Sequence, residues 1–121
     1  MAKKILIIDD EKHVVSFLED IFRDNGYQTV SALDGDEGFE AMKREKPDLI
    51  TLDLQMPNER GTKFYQRFRK DEEFKDTPIV VVTGQSNPEK ALRPDKVAAI
   101  VCKPFEPEVM LETVKGIIGE A

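Results

Sequence analysis

The chain has 121 residues, 40% hydrophobic and 35% charged, and its 24 acids against 18 bases give a formal charge of −6. That length suits one domain over residues 1–121 with a core able to form unaided, and the single cysteine excludes a disulfide framework or a cysteine-built metal cluster. The acid excess argues against gripping nucleic acid by its phosphates, and no apolar run approaches the ~20 residues of a membrane span.

Taken in chain order, the elements change rhythm regularly. Lys3-Lys4 precedes only four apolar residues before Asp9-Asp10. That is too few for a secretory core, so a cytoplasmic location is expected. Ile5 to Ile8 is a short continuous apolar run, the mark of a strand buried on both faces. Val14, Phe17, Leu18, Ile21 and Phe22 recur at helical spacing, and Gly26 sits where a helix C-cap falls. Tyr27–Ala32 reads as a second strand, followed by a weaker helix around Phe39 and Met42 that stops before Pro47. Asp48–Leu54 is a third strand, and Phe64, Tyr65 and Phe68 mark the packing face of a third helix after Gly61. Pro78 opens a fourth strand, Ile79–Thr83. Gln85–Val97 is the least regular stretch, where Pro88 and Pro94 shorten or break any helix. Ala98–Cys102 is a fifth strand with Cys102 expected in the core. Met110, Leu111, Val114, Ile117 and Ile118 line a last helix that starts near Pro107. Strand and helix alternate through five units. This predicts an α/β fold with a doubly wound, five-stranded parallel sheet, helices on both faces and the flavodoxin-like strand order 2-1-3-4-5.

The polar residues gather at the strand ends. Asp9 and Asp10 follow the first strand, Asp53 lies near the end of the third, Thr83 ends the fourth and Lys103 follows the fifth. In a parallel sheet those ends share one edge, and ligands bind where the strand order reverses. Carboxylates brought that close repel by about 4 kcal/mol per pair at 4 Å and an effective dielectric of 20. Lys103 offsets one charge and leaves two uncompensated. An all-oxygen donor set of that charge calls for a hard divalent cation, for which Mg²⁺ is the natural choice.

These residues resemble the receiver domain of a two-component response regulator. The likeness runs from Lys3 to Ile118. It rests on Ile7-Ile8-Asp9-Asp10-Glu11, Asp53-Leu54-Gln55-Met56-Pro57 with Gly61, Val82-Thr83-Gly84, and Lys103-Pro104-Phe105. The resemblance implies that Asp53 is the phosphoryl acceptor, charged by a histidine kinase or phosphotransfer protein, and that the domain then signals to a downstream protein partner. It implies Mg²⁺, or Mn²⁺, on Asp9, Asp10, Asp53 and the backbone carbonyl of Gln55. Lys103 and Thr83 would each meet a phosphoryl oxygen, and the Lys103-Pro104 bond would be cis. Gln55 and Gln85 would flank the path of attacking water. The domain is then a switch rather than an enzyme, with self-catalysed phosphorylation and autodephosphorylation, and with no direct contact to nucleic acid or membrane. It would act alone or as part of a longer protein. The family usually carries Tyr or Phe where this chain has Ile100, so an aromatic rotamer switch is not available.

Three alternatives compete. A phosphatase with an aspartate nucleophile needs an acid two residues on, where Gln55 stands. A flavin or nucleotide binder wants Gly, Ser or Thr after the first strand rather than Asp9-Asp10-Glu11. A degenerate receiver serving only as an interaction module would not need Asp9, Asp10, Asp53, Thr83 and Lys103 together. His13 reads as a surface residue, and Lys70–Lys75 as a solvated helix end and loop.

Overall fold

Register is what matters most for function, because it decides which residues leave the sheet side by side. The computed structural model describes residues 2–56, 60–84 and 97–121. Five strands, β1 (Lys4–Ile8), β2 (Gln28–Ala32), β3 (Leu49–Leu52), β4 (Ile79–Thr83) and β5 (Ala99–Cys102), form one sheet in the order β2-β1-β3-β4-β5. All four pairings are parallel. Ile8 faces Ala32 on one side and Leu52 on the other, Leu52 faces Val81, and Thr83 faces Cys102. The chain therefore emerges at one edge with Asp9, Asp53 and Lys103 each one residue beyond a strand. This is the predicted fold and the predicted strand order.

Four helices accompany the strands among the described residues: α1 (Lys12–Arg23), α2 (Gly35–Glu45), α3 (Arg60–Lys70) and α4 (Pro107–Ile118). Alternation along each strand sends side chains to two separate cores. Leu6, Ile8, Ile50, Leu52, Ile79 and Val81 pack with Met42 of α2 and with Phe64, Tyr65 and Phe68 of α3. Ile5, Ile7, Leu49, Val80, Val82 and Val101 pack with Val15, Leu18, Ile21 and Phe22 of α1 and with Met110 and Val114 of α4. Each fully buried aliphatic or aromatic side chain contributes about 1.5–3 kcal/mol. The Asp34 side chain caps α2 by accepting from the Glu37 N–H at 2.8 Å, and Pro107 opens α4 where its missing N–H costs nothing.

Several expectations need correction. β3 ends at Leu52 rather than Leu54, because the Asp53 N–H makes one last ladder bond to the Ile8 carbonyl while its carboxylate turns the chain by accepting from the Gln55 N–H. In α1 the buried position is Val15, and Phe17 is left 43% exposed. Cys102 is exposed, as is Ile100 two residues earlier. β5 has a strand neighbour on one side only, and its alternate residues point away from the core. Lys70–Lys75 is not all solvated, since a 3₁₀ turn at Glu72–Phe74 buries Phe74. His13 is exposed, as expected. The short or broken helix expected within Gln85–Val97, with Gln85, Pro88 and Pro94, falls on residues 85–96, outside the described residues, as does Pro57. Among the described residues no helix is long and apolar enough to cross a membrane.

Candidate functional site

Asp9 and Asp53 are each 2% exposed and Thr83 is fully buried, an expensive place for carboxylates unless each oxygen finds a partner. The backbone supplies half of those partners. Asp9 Oδ1 accepts from the Glu11 N–H at 2.9 Å, and Asp53 Oδ1 accepts from the Gln55 N–H at 3.0 Å. Each carboxylate is thereby locked by the turn that ends its own strand. The other oxygens face Lys103, whose Nζ lies 3.1 Å from Asp9 Oδ2 and 3.7 Å from Asp53 Oδ2.

Lys103 is carried there by β5, with its N–H donating to the Thr83 carbonyl at 2.9 Å. The Lys103–Pro104 peptide is cis, as expected. Gln55 spans the mouth of the site, its exposed side chain accepting from the Gly84 N–H at 3.0 Å through Oε1. Gly61 is required by close approach: a Cβ there would lie 2.3 Å from the Asp53 carbonyl oxygen and 2.8 Å from Leu54 Cα. The start of α3 is thus pressed directly against the backbone of Asp53.

The structure brings Asp9, Asp10 and Asp53 together as the sequence suggested, and it adds Glu11. Carboxylate oxygens of all four lie within 4.8 Å of one another. Glu11 also stands 4.0 Å from Lys103 Nζ and 3.3 Å from His13 Nε2. Its signal was present as the third acid in a row after β1, but only the turn at Asp9 shows that it folds back. Burial pushes the Asp53 carboxyl above its ordinary range. The Gln55 N–H opposes that shift, the charge of Asp9 adds to it, Lys103 opposes it and Asp10 adds again. Burial pulls against the charge on Lys103, but the hydrogen bond and charge of Asp9, with the charges of Asp53 and Glu11, hold it above the usual lysine value. Four carboxylates with a single ammonium among them leave an excess of negative oxygen donors, chemistry that fits a hard divalent cation.

A parallel α/β sheet with buried acids at the ends of β1 and β3 and a lysine beyond β5 is the arrangement of a receiver-type signalling domain. The chain belongs to the response regulator receiver domain family, whose description matches residues 5–115. It is 28% identical over 123 residues to the polar-differentiation response regulator DivK of Brucella ovis, each chain being covered completely. Among solved structures it resembles the chemotaxis response regulator CheY4 of Vibrio cholerae, with a TM-score of 0.84, 28% identity, and coverage of 96% of this chain and 98% of that one. A putative response regulator from Chloroflexus aurantiacus gives 0.89 at 28% identity, covering 99% of this chain and 100% of that one.

Proposed function

We propose that this domain receives a phosphoryl group on Asp53 from a phosphohistidine of a histidine kinase or phosphotransfer protein. The observation that carries the reading is the Asp53 carboxylate itself. One oxygen is fixed by the Gln55 N–H while the other is held 3.7 Å from a lysine inside an oxygen-lined cluster. That free oxygen attacks phosphorus, the donor's N–P bond breaks, and its electron pair stays on the imidazole nitrogen, which is then protonated. Asp9, Asp10, Asp53 and the Gln55 carbonyl would hold Mg²⁺, or Mn²⁺, and the ion would supply charge neutralisation on the transferring group. Lys103 stands ready to pair with a phosphoryl oxygen as a point charge, giving up part of its hold on Asp53. Thr83, at the end of β4, offers a hydroxyl to a second oxygen. Movement of its loop toward the phosphate is the signal.

The domain acts as a switch in the cytoplasm rather than as a turnover enzyme. Gln55 has no ionisable proton to hand to a leaving group, which weighs against a true phosphatase. A groove of about 370 Å³ beside Lys103, lined by Glu11, His13, Val14, Phe17, Pro104 and Phe105, offers the donor protein an apolar seat next to the acceptor. The rings of Phe17 and Phe105 lie 5.8 Å apart in its floor.

The test is incubation with a small phosphodonor such as acetyl phosphate, with Mg²⁺ or with EDTA, read by intact mass. One phosphoryl group per chain, dependent on the metal and absent from Asp53→Asn, is the expected result. Equal labelling of the variant would overturn the assignment.

A further inference from the structure

We infer that the outer face of α3 is a docking stripe for a short acidic segment of a partner protein, separate from the phosphorylation site. α3 runs RGTKFYQRFRK, five bases and no acid, in a chain whose overall charge is −6. Its inner face, Gly61, Phe64, Tyr65 and Phe68, is buried, which turns Lys63, Gln66, Arg67 and Lys70 outward. Those four follow the i, i+3, i+4, i+7 spacing of a single helix stripe.

Among the described residues, contacts account for Arg67 but not for the other bases of the stripe. Lys63 lies in the first turn, where the helix dipole favours acids, and the first turn has none. Lys63 and Arg67 at i, i+4 and Arg67 and Lys70 at i, i+3 are like-charge pairs, which weaken a helix. Among the described residues, neither Lys63 nor Lys70 has a carboxylate within ion-pair distance. Arg67 is the exception and is held in place. Its guanidinium lies 3.9 Å over the Phe39 ring and 3.2 Å from Asp36, so the middle of the stripe presents a fixed, oriented cation. A local rule broken without compensation among the described residues points to a gain made outside the fold.

Charge placement selects the occupant. At ~1.5 Å per residue α3 offers a basic strip only about 16 Å long. Among the described residues, acids lie on one flank, where Asp36 of α2 meets Arg67, and past its C-terminal end, at Asp71, Glu72 and Glu73. A nucleic acid, with a charge every ~1.7 Å, or an anionic membrane would overrun the strip and meet those carboxylates. A helical or turn segment carrying three or four spaced carboxylates fits within it.

The test uses the full chain, isotope-labelled, and a capped alanine-based helix with glutamates at the same i, i+3, i+4, i+7 spacing, at about 0.15 M salt. Chemical-shift changes are expected to centre on Lys63, Gln66, Arg67 and Lys70 and to fade as salt rises. Lys63→Glu with Lys70→Glu should weaken binding by about tenfold or more, since each surface attraction becomes a repulsion. Lys63→Gln with Lys70→Gln should weaken it less, and Lys12→Glu on α1 should leave it unchanged. All these positions are exposed, and an unchanged spectrum elsewhere verifies the fold. The inference fails if the peptide does not perturb α3, if its binding survives the charge reversal, or if an oligonucleotide or phosphatidylserine vesicles bind α3 more tightly than the peptide.

Discussion

Replacing Asp53 by Asn should make the metal-free protein more stable, although it removes the residue on which the proposed function depends. Lys103 at 3.7 Å attracts the Asp53 carboxylate by about 4.5 kcal/mol at an effective dielectric of 20. Asp9 and Asp10, each within 4.8 Å, repel it by about 3.5 kcal/mol apiece on the same scale, while Glu11, equally near but with its side chain half exposed, is screened by solvent and left out of the sum. Repulsion therefore exceeds attraction by ~2.5 kcal/mol, and burial of the charge acts in the same direction. Asn keeps an acceptor for the Gln55 N–H, but that bond loses its ionic character, a loss of about 1 kcal/mol. The balance is a gain on the order of 1–2 kcal/mol, or a Tm rise of roughly 5 °C for a domain of this size. Urea unfolding in EDTA measures it directly. Repeating the titration in Mg²⁺ should stabilise the native chain more than the variant and narrow or reverse the gap, since a ligand of the folded state stabilises by mass action. An Asp53→Asn variant less stable than the native chain in EDTA would refute the reasoning, because Lys103 would then outweigh the neighbouring acids.

Other consequences follow from single contacts. Thr51 Oγ1 is buried without a hydrogen-bond partner among the described residues, so Thr51→Val, which keeps the shape, should add about 1 kcal/mol to the unfolding free energy. An unchanged or lower midpoint would mean the hydroxyl is satisfied in solution. Gly61→Ala forces a methyl into the backbone of Asp53 and Leu54, so it should cost about 1–3 kcal/mol and also slow phosphorylation of the folded fraction. A normal labelling rate would show that α3 does not position the acceptor. Asp71 is held below the usual carboxylate range, first by its hydrogen bond from Lys43. The stability this contributes is present above the unfolded pKa of about 3.9 and is lost as pH falls through the lower folded value. Lys43→Met should therefore flatten the acid limb of a Tm-against-pH profile, and profiles that stay parallel would count against the pair.

The strand-end residues were legible because parallel α/β topology leaves no other place for them. A carboxylate one residue past β1 or β3, and a lysine one residue past β5, must reach the same edge. Finer placement was not legible. The spacing of Val14, Phe17, Leu18 and Ile21 suits a helix as well as that of Val15, Leu18, Ile21 and Phe22, and only the sheet beneath α1 decides that Val15 goes inward. Cys102 was expected in the core on the assumption that every strand of a parallel sheet is covered on both faces. β5 is an edge strand, and alternate residues along it are not covered. The role of Glu11 depends on a turn locked by Asp9 Oδ1, a hydrogen bond that composition and periodicity do not encode. The basic face of α3 was visible as letters, but only the structure shows Arg67 pinned by Asp36 and Phe39 while Lys63 and Lys70 have no carboxylate partner among the described residues.

The central claim is that Asp53, and no other side chain, carries the phosphoryl group. Reduction of the phosphorylated protein with borohydride converts an acyl phosphate to an alcohol, and peptide mapping then locates the altered residue. A single reduced aspartate at position 53, formed only when phosphodonor and Mg²⁺ are both present, is the result this account requires. Label on Asp9, Asp10, Glu11 or His13 would contradict it.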